Sequence, residues 1–246
     1  MLIVNDNSQI EIQPITNLIW DKVVVPVSST NYTPTANTKV YLPLNGDIAD
    51  YSGNNWATTS DGPVSSSTQT IFGQDTYYFD AGSSTNVLQI TGQPITTTGN
   101  WTNSLWYYSG SNGGVLICNG YGWVGGGNGI QIYDYGTSYT GLYPAKFWMA
   151  NPFITEISQP GWHNLIMTAD SGNVYWYIDG VLGYTKDALP YQMDRCLTLG
   201  AESMSSDFPW TASTAKWSGY ISEWIVEDKV WTQTDVTNYC SSRLPS

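Results

Sequence analysis

The sequence predicts an all-β chain, and three observations predict it. Charged residues make up only 11% of the 246 residues and aromatics 14%, with 12 Trp and 18 Tyr. Residue types that build helices are therefore scarce, while those that suit a pleated, half-buried surface are abundant. Runs of β-branched and aromatic residues recur at strand length, and the 24 Gly, 12 Pro and many Ser, Thr and Asn supply turns between them. All-β chains of this length commonly form one domain with a full core, so the starting expectation is one domain plus an arm.

Residues 1–38 read differently from the rest. Ile10-Glu11-Ile12 alternates like a short strand, Val23-Val24-Val25 is a β-branched run, and Pro26 ends it or confines it to an edge. The stretch Ser28-Ser29-Thr30-Asn31-Tyr32-Thr33-Pro34-Thr35 has a linker's composition. This region is read as an arm or an accessory strand pair, with extra strands on the same fold as the alternative. Residues 39–246 are read as the main domain.

In that domain, strands are expected at 39–44, 76–80, 86–90, 104–109, 115–118, 129–134, 162–168, 174–178, 181–184, 197–200 and 219–227. Ala169-Asp170-Ser171-Gly172-Asn173 is a hairpin connection, and Asp179-Gly180 makes the next turn. Thr232-Gln233-Thr234-Asp235 has capping-box spacing, with Val236, Tyr239 and Cys240 following on one face. A short C-terminal helix packed at the domain's edge is expected there.

The net charge of −12 comes from 20 acidic and 8 basic side chains. That balance argues against nucleic acid, which needs clustered Lys and Arg, and against an anionic membrane surface. No apolar run approaches the ~18–20 residues that span a bilayer, and Met1-Leu2-Ile3-Val4-Asn5-Asp6 lacks a signal peptide's basic start, so no membrane insertion and synthesis in a cytosol are expected. The three cysteines, Cys118, Cys196 and Cys240, form no disulfide framework or zinc motif; Cys118, after Val115-Leu116-Ile117, reads as a buried small hydrophobe.

The segment 160–181 holds Trp162-His163, a strand, a turn, an aromatic strand and then Ile178-Asp179-Gly180-Val181. Leu165 and Met167 share one strand face and can fill a core; Trp162 has the opposite parity and joins them only through a bulge or at the strand's start. Three more blocks stand in order. These are Leu42-Pro43-Leu44-Asn45-Gly46-Asp47 with Asp50-Tyr51-Ser52-Gly53-Asn54, Phe72-Gly73 with Tyr77-Tyr78-Phe79-Asp80, and Leu197-Thr198-Leu199-Gly200 with Trp217, Gly219, Tyr220 and 223–226. Together they resemble the laminin-G-like, concanavalin-A-like jelly rolls over residues 38–240. The resemblance implies a two-sheet antiparallel β-sandwich. The opening blocks are similar to domains of bacteriophage tail and virion proteins, which implies a structural or adhesion module such as a decoration or fibre protein. Such a module would sit on the particle surface, be made in the host cytoplasm and be joined by its arm to other virion proteins or to copies of itself. The alternative implied is a carbohydrate-binding lectin domain, calcium-dependent or not.

Catalysis finds little support in the residues. Glycoside hydrolysis needs two carboxyl groups about 5–10 Å apart across the scissile bond. Glu223, Glu227 and Asp228 come nearest to such a set, and their place at a strand's end beside Trp224 and Val226 reads as a solvated face. His163 is the only histidine, which leaves little scope for a triad or a transition-metal site. No enzyme is expected. The one cofactor that fits is calcium, for which Asp47, Asp50 and Asn54 offer hard oxygens on a turn-rich loop. A solvated turn is the competing reading, and calcium-binding relatives carry Ile-Asp-Glu where this chain has Ile221-Ser222-Glu223. A ligand, a cell-surface glycan above all, would stack on loop aromatics: Tyr121 and Trp123, Tyr135 and Tyr139, or Phe208 and Trp210. Packing between subunits is the other use of those rings.

Overall fold

A computed structural model describes residues 31–83, 85–92, 94, 100–109, 114–119, 130–134, 142–144, 161–187, 197–201 and 216–243. The described elements are β1 (Thr38–Leu42), β2 (Ala57–Asp61), β3 (Val64–Ile71), β4 (Gln74–Phe79), β5 (Val87–Thr91), β6 (Trp101–Ser109) and β7 (Gly114–Asn119). They continue with β8 (Ile130–Asp134), β9 (Leu142–Pro144), β10 (Trp162–Ala169), β11 (Asn173–Ile178), β12 (Val181–Asp187), β13 (Leu197–Leu199), β14 (Gly219–Glu227) and α1 (Gln233–Arg243).

The strands form two antiparallel sheets. An eight-stranded sheet runs β12-β11-β10-β6-β14-β4-β3, with β1 also pairing β14, and a six-stranded sheet runs β2-β5-β13-β7-β8-β9. Alternation along each strand sends one set of side chains into the space between the sheets. Leu105 and Tyr107 of β6, Leu165 and Met167 of β10, Trp176 and Ile178 of β11 meet Leu88, Ile90, Leu116, Leu197 and Leu199 from the other sheet in one buried cluster. The chain is an all-β sandwich with a short C-terminal helix.

Between the sheets' ends, a buried asparagine ties four segments. Asn86 Nδ2 donates to the Trp217 carbonyl at 2.6 Å and to Gly200 at 3.4 Å, while its Oδ1 accepts the Asp80 N–H at 2.8 Å. Beside it Gly219 opens β14 where a Cβ would stand 2.3 Å from the Tyr108 carbonyl and 2.5 Å from the Trp217 ring. Only glycine allows that approach.

β14 organises the eight-stranded sheet. It lies along β6 for its whole length, and on its other side it pairs first with β4, at 219–221, and then with β1, at 224–227. Where the partner changes, one extra residue enters the strand: Ser222 lies opposite Trp106, but Ile225 lies opposite Ser104. Glu223 occupies this bulge with φ +48°. The bulge reverses the strand's parity, so Ile221 before it and Trp224 and Val226 after it all face the core.

The eight-stranded sheet has a second apolar surface on its outer side. Tyr41, Ile166, Tyr177 and Ile225 pack there with Trp231, Val236 and Cys240. The helix therefore lies over a sheet face rather than at the sandwich edge, because the outward side chains of four strands present an apolar surface that needs a cover. Its start carries the expected capping box: Thr232 Oγ1 accepts the Asp235 N–H at 3.2 Å, and Asp235 Oδ2 accepts the Thr232 N–H at 2.9 Å.

Candidate functional site

The sequence directs attention first to β14. Glu223 and Glu227 are not on a solvated face: each is 3% exposed. The bulge turns both outward from the core, but residues 31–38 and α1 cover that side. Glu223 pairs with Arg243 Nη2, and its Oε1 also accepts from the Tyr239 hydroxyl at 3.3 Å. Arg243 in turn sits over the Phe72 ring, 5.1 Å from its centroid. Burial pushes the Glu223 carboxyl up to about 7, against the lowering effects of Arg243, Tyr239 and the Tyr32 backbone N–H. Glu227 is saturated by donors. Oε1 accepts from the Tyr32 hydroxyl, from Thr35 Oγ1 at 3.1 Å and from Thr38 Oγ1 at 3.3 Å, and Oε2 accepts from the Trp231 indole. Asp228 alone is exposed, in an ion pair with Lys39 at 3.1 Å. These carboxylates fasten segments together.

His163 and Asp179 form a local lock. Nδ1 lies 2.7 Å from Asp179 Oδ2, while Oδ1 of the same aspartate accepts the Asn164 N–H at 2.8 Å. Asp179 holds φ +51° at the turn into Gly180. The contacts tie that turn back to the start of β10, offsetting the strain of a left-handed non-glycine residue.

In the loop after β1, Asp50 closes its own turn. Oδ1 accepts the N–H groups of Tyr41 and Ser52, and Oδ2 accepts Ser52 Oγ–H and the Trp56 N–H, all within 3.1 Å. Asp47 accepts the Ala49 N–H at 3.0 Å and the Tyr51 hydroxyl at 2.8 Å. Asn54 turns its amide nitrogen, not its oxygen, to the carbonyls of Thr38 and Lys39. Each Asp50 oxygen thus accepts two of the loop's own donors and each Asp47 oxygen one. Among the described residues no group of three or more His, Cys, Asp or Glu side chains is placed to hold a metal ion. Tyr121, Trp123, Tyr135, Tyr139, Phe208 and Trp210 lie outside the described residues.

A different aromatic surface emerges from strand register. Trp162 lies opposite Tyr108, Tyr108 opposite Tyr220, and Tyr220 opposite Tyr78. Four rings thus stand side by side across β10, β6, β14 and β4, on the outer face, and each is partly exposed. Successive centroids are 5.9, 6.1 and 4.9 Å apart. Trp162 keeps its strand parity and does not enter the core. Next along the row is Val64 of β3, opposite Tyr78 and 55% exposed.

β3 then leaves its ladder. Its pairing with β4 breaks between Ser66 and Ile71. The Thr70 carbonyl accepts the Trp162 indole N–H at 3.1 Å. This polar strap reaches one end of the row and fixes the Trp162 ring.

No family model matches the sequence, and no curated protein matches it. Solved structures do match in fold. One is domain 4 of AbnA, an extracellular arabinanase of Geobacillus stearothermophilus, solved with arabinotriose, with TM-score 0.55 and 15% identity over 83% of this chain and 98% of that one. Another is the binding domain of botulinum neurotoxin DC in complex with SialylT, with TM-score 0.59 and 15% identity over 84% of this chain and 52% of that one. The binding domain of Paraclostridial Mosquitocidal Protein 1 matches at TM-score 0.56 and 14% identity over 84% of this chain. The chain spans about half the length of the two toxin domains. At such identities the likeness is one of fold.

Proposed function

We propose that this chain is a non-catalytic recognition module whose ligand is a glycan. The observation that carries the reading is the outward row of Trp162, Tyr108, Tyr220 and Tyr78, a surface suited to contact and not to chemistry. The use of Glu223 and Glu227 as buried fasteners supports the non-catalytic part, since neither carboxylate is available as acid or base. The sandwich's likeness to an arabinotriose-bound domain and a SialylT-bound domain supports the ligand class. Purified protein applied to a glycan array, with and without calcium, is expected to retain a defined set of glycans; retention lost on chelation would bring a calcium site back, and silence across the array would end the glycan reading.

The setting we assign is the surface of a bacteriophage particle, where the module acts as a decoration or fibre protein and residues 1–38 join it to virion proteins or to copies of itself. The order of the Leu42-Pro43-Leu44, Asp50-Tyr51-Ser52-Gly53 and Phe72-Gly73 blocks supports this setting. Genes for capsid or tail proteins flanking its own, and its presence in purified particles, are the expected findings. A lectin with no particle role is the competing reading, and absence from particles would favour it.

A further inference from the structure

The geometry points to the row Trp162–Tyr108–Tyr220–Tyr78, with the strap at residues 67–70, as the binding site itself, taking the apolar face of a neutral, extended oligosaccharide. This inference rests on reading the chain as a recognition module and goes further by naming the site and the ligand's charge class.

Four features select that ligand. The row lies across adjacent strands, so its length is about three inter-strand spacings, or roughly 15 Å, which suits a short chain of sugars and exceeds any single ring. Its members and Val64 carry no charge at neutral pH, although the protein has a net charge of −12. An anionic glycan would meet repulsion and no cation within the row; a neutral one meets neither. The rings expose apolar surface with a polar tip on each, which matches a pyranose or furanose with C–H groups on its faces and hydroxyls at its rim. Finally, the strap supplies threonine hydroxyls and backbone groups beside the rings, and its Thr70 carbonyl holds Trp162 in place. Rings fixed before binding lose little entropy on contact.

Cross-strand aromatic pairs also stabilise sheets, so the test must separate binding from folding. The probes are arabinotriose, cellopentaose, chitotriose and maltotriose, titrated calorimetrically alongside any array-positive neutral glycan. Trp162→Ala and Tyr220→Ala are each expected to weaken the bound probe at least tenfold with an unchanged far-ultraviolet circular dichroism spectrum, while Val181→Ala, at an exposed position on β12, leaves affinity within twofold. A measurement on the unaltered protein backs these variants: the Trp162 indole N–H resonance, set apart by its bond to Thr70, is expected to shift on adding the probe. Glycan binding that survives both row variants with a static indole resonance would overturn the site while leaving the recognition reading intact. Loss in the variants of binding to a protein partner, with every glycan ignored, would overturn the ligand class. Binding confined to acidic glycans would overturn the charge argument. No binding by the unaltered protein to any glycan would overturn both readings together.

Discussion

Along the outer face of the eight-stranded sheet, the region past the bulge in β14 and the region before it are finished in opposite ways. Past the bulge, Ile225, Ile166, Tyr177 and Tyr41 are sealed beneath α1 and residues 31–38, and two carboxylates are buried with them. Before it, Tyr220, Tyr108, Trp162 and Tyr78 stay partly in water under a polar strap. The sealed set includes the aliphatics Ile166 and Ile225, whereas the four-ring row has none. Aliphatic side chains gain roughly 25 cal/mol for each Å2 removed from water and so favour a cover, whereas Tyr and Trp carry a polar handle that makes a half-wet position tolerable. The sealed region is where the fold is stabilised, and the open one is where it can meet something else.

Perturbing the two regions should therefore give opposite profiles. The largest effect is expected at the sealed end. Arg243→Ala leaves the Glu223 carboxyl buried without its partner, and breaking such a pair costs about 3–5 kcal/mol; urea denaturation should show it as a lower midpoint with an unchanged slope. Next comes a pH effect from the same site. Because the folded-state Glu223 carboxyl titrates at about 7 rather than its ordinary 4.5, the folded chain holds more protons between those values. Its stabilising contribution is complete below about 4.5 and is lost as pH rises through 7. The unaltered protein should thus lose stability relative to Glu223→Gln from pH 5 to pH 8, and melting curves that stay parallel would remove the effect. Thr232→Ala, which takes away the cap of α1, is expected to cost about 1 kcal/mol by the same denaturation assay. The smallest effect belongs to the open end. Trp162→Ala should cost roughly 0.2–1 kcal/mol, the scale of its one cross-strand ring pair, with Tyr108; a loss as large as that of Arg243→Ala would mean that the two regions do not differ in the way described.

Much of this arrangement is legible in the sequence, and the illegible parts share a cause. Strands whose residues alternate or run apolar, such as β10, β11 and β14, stand where the pattern puts them. β2 and β3 escape notice because Ala57–Asp61 and the Ser-Thr-rich Val64–Ile71 carry no inward apolar set. Their pairing rests on the backbone ladder and on hydroxyls such as Thr91 Oγ1, which donates to the Ala57 carbonyl, and Thr76 Oγ1, which donates to the Gln69 carbonyl. Glu223 and Glu227 look solvated as long as β14 is read with a constant period of two, and a bulge leaves no mark in composition. The row was half visible: Trp162's parity set it apart from Leu165 and Met167, but that Tyr108, Tyr220 and Tyr78 stand beside it depends on register between strands far apart in the chain.

The two buried glutamates also fix how the domain would carry load. Tyr32 offers its hydroxyl to Glu227, and Arg243, near the far end of the described chain, pairs with Glu223 of the same strand. Both ends of the described chain are therefore riveted to one strand, at positions 223 and 227. A tension applied between residues 31 and 243 meets these rivets before it reaches any strand ladder, so the sandwich would hang from one attachment patch like a pendant. The aromatic row, on the far side of the bulge, would keep its shape while the tether is pulled.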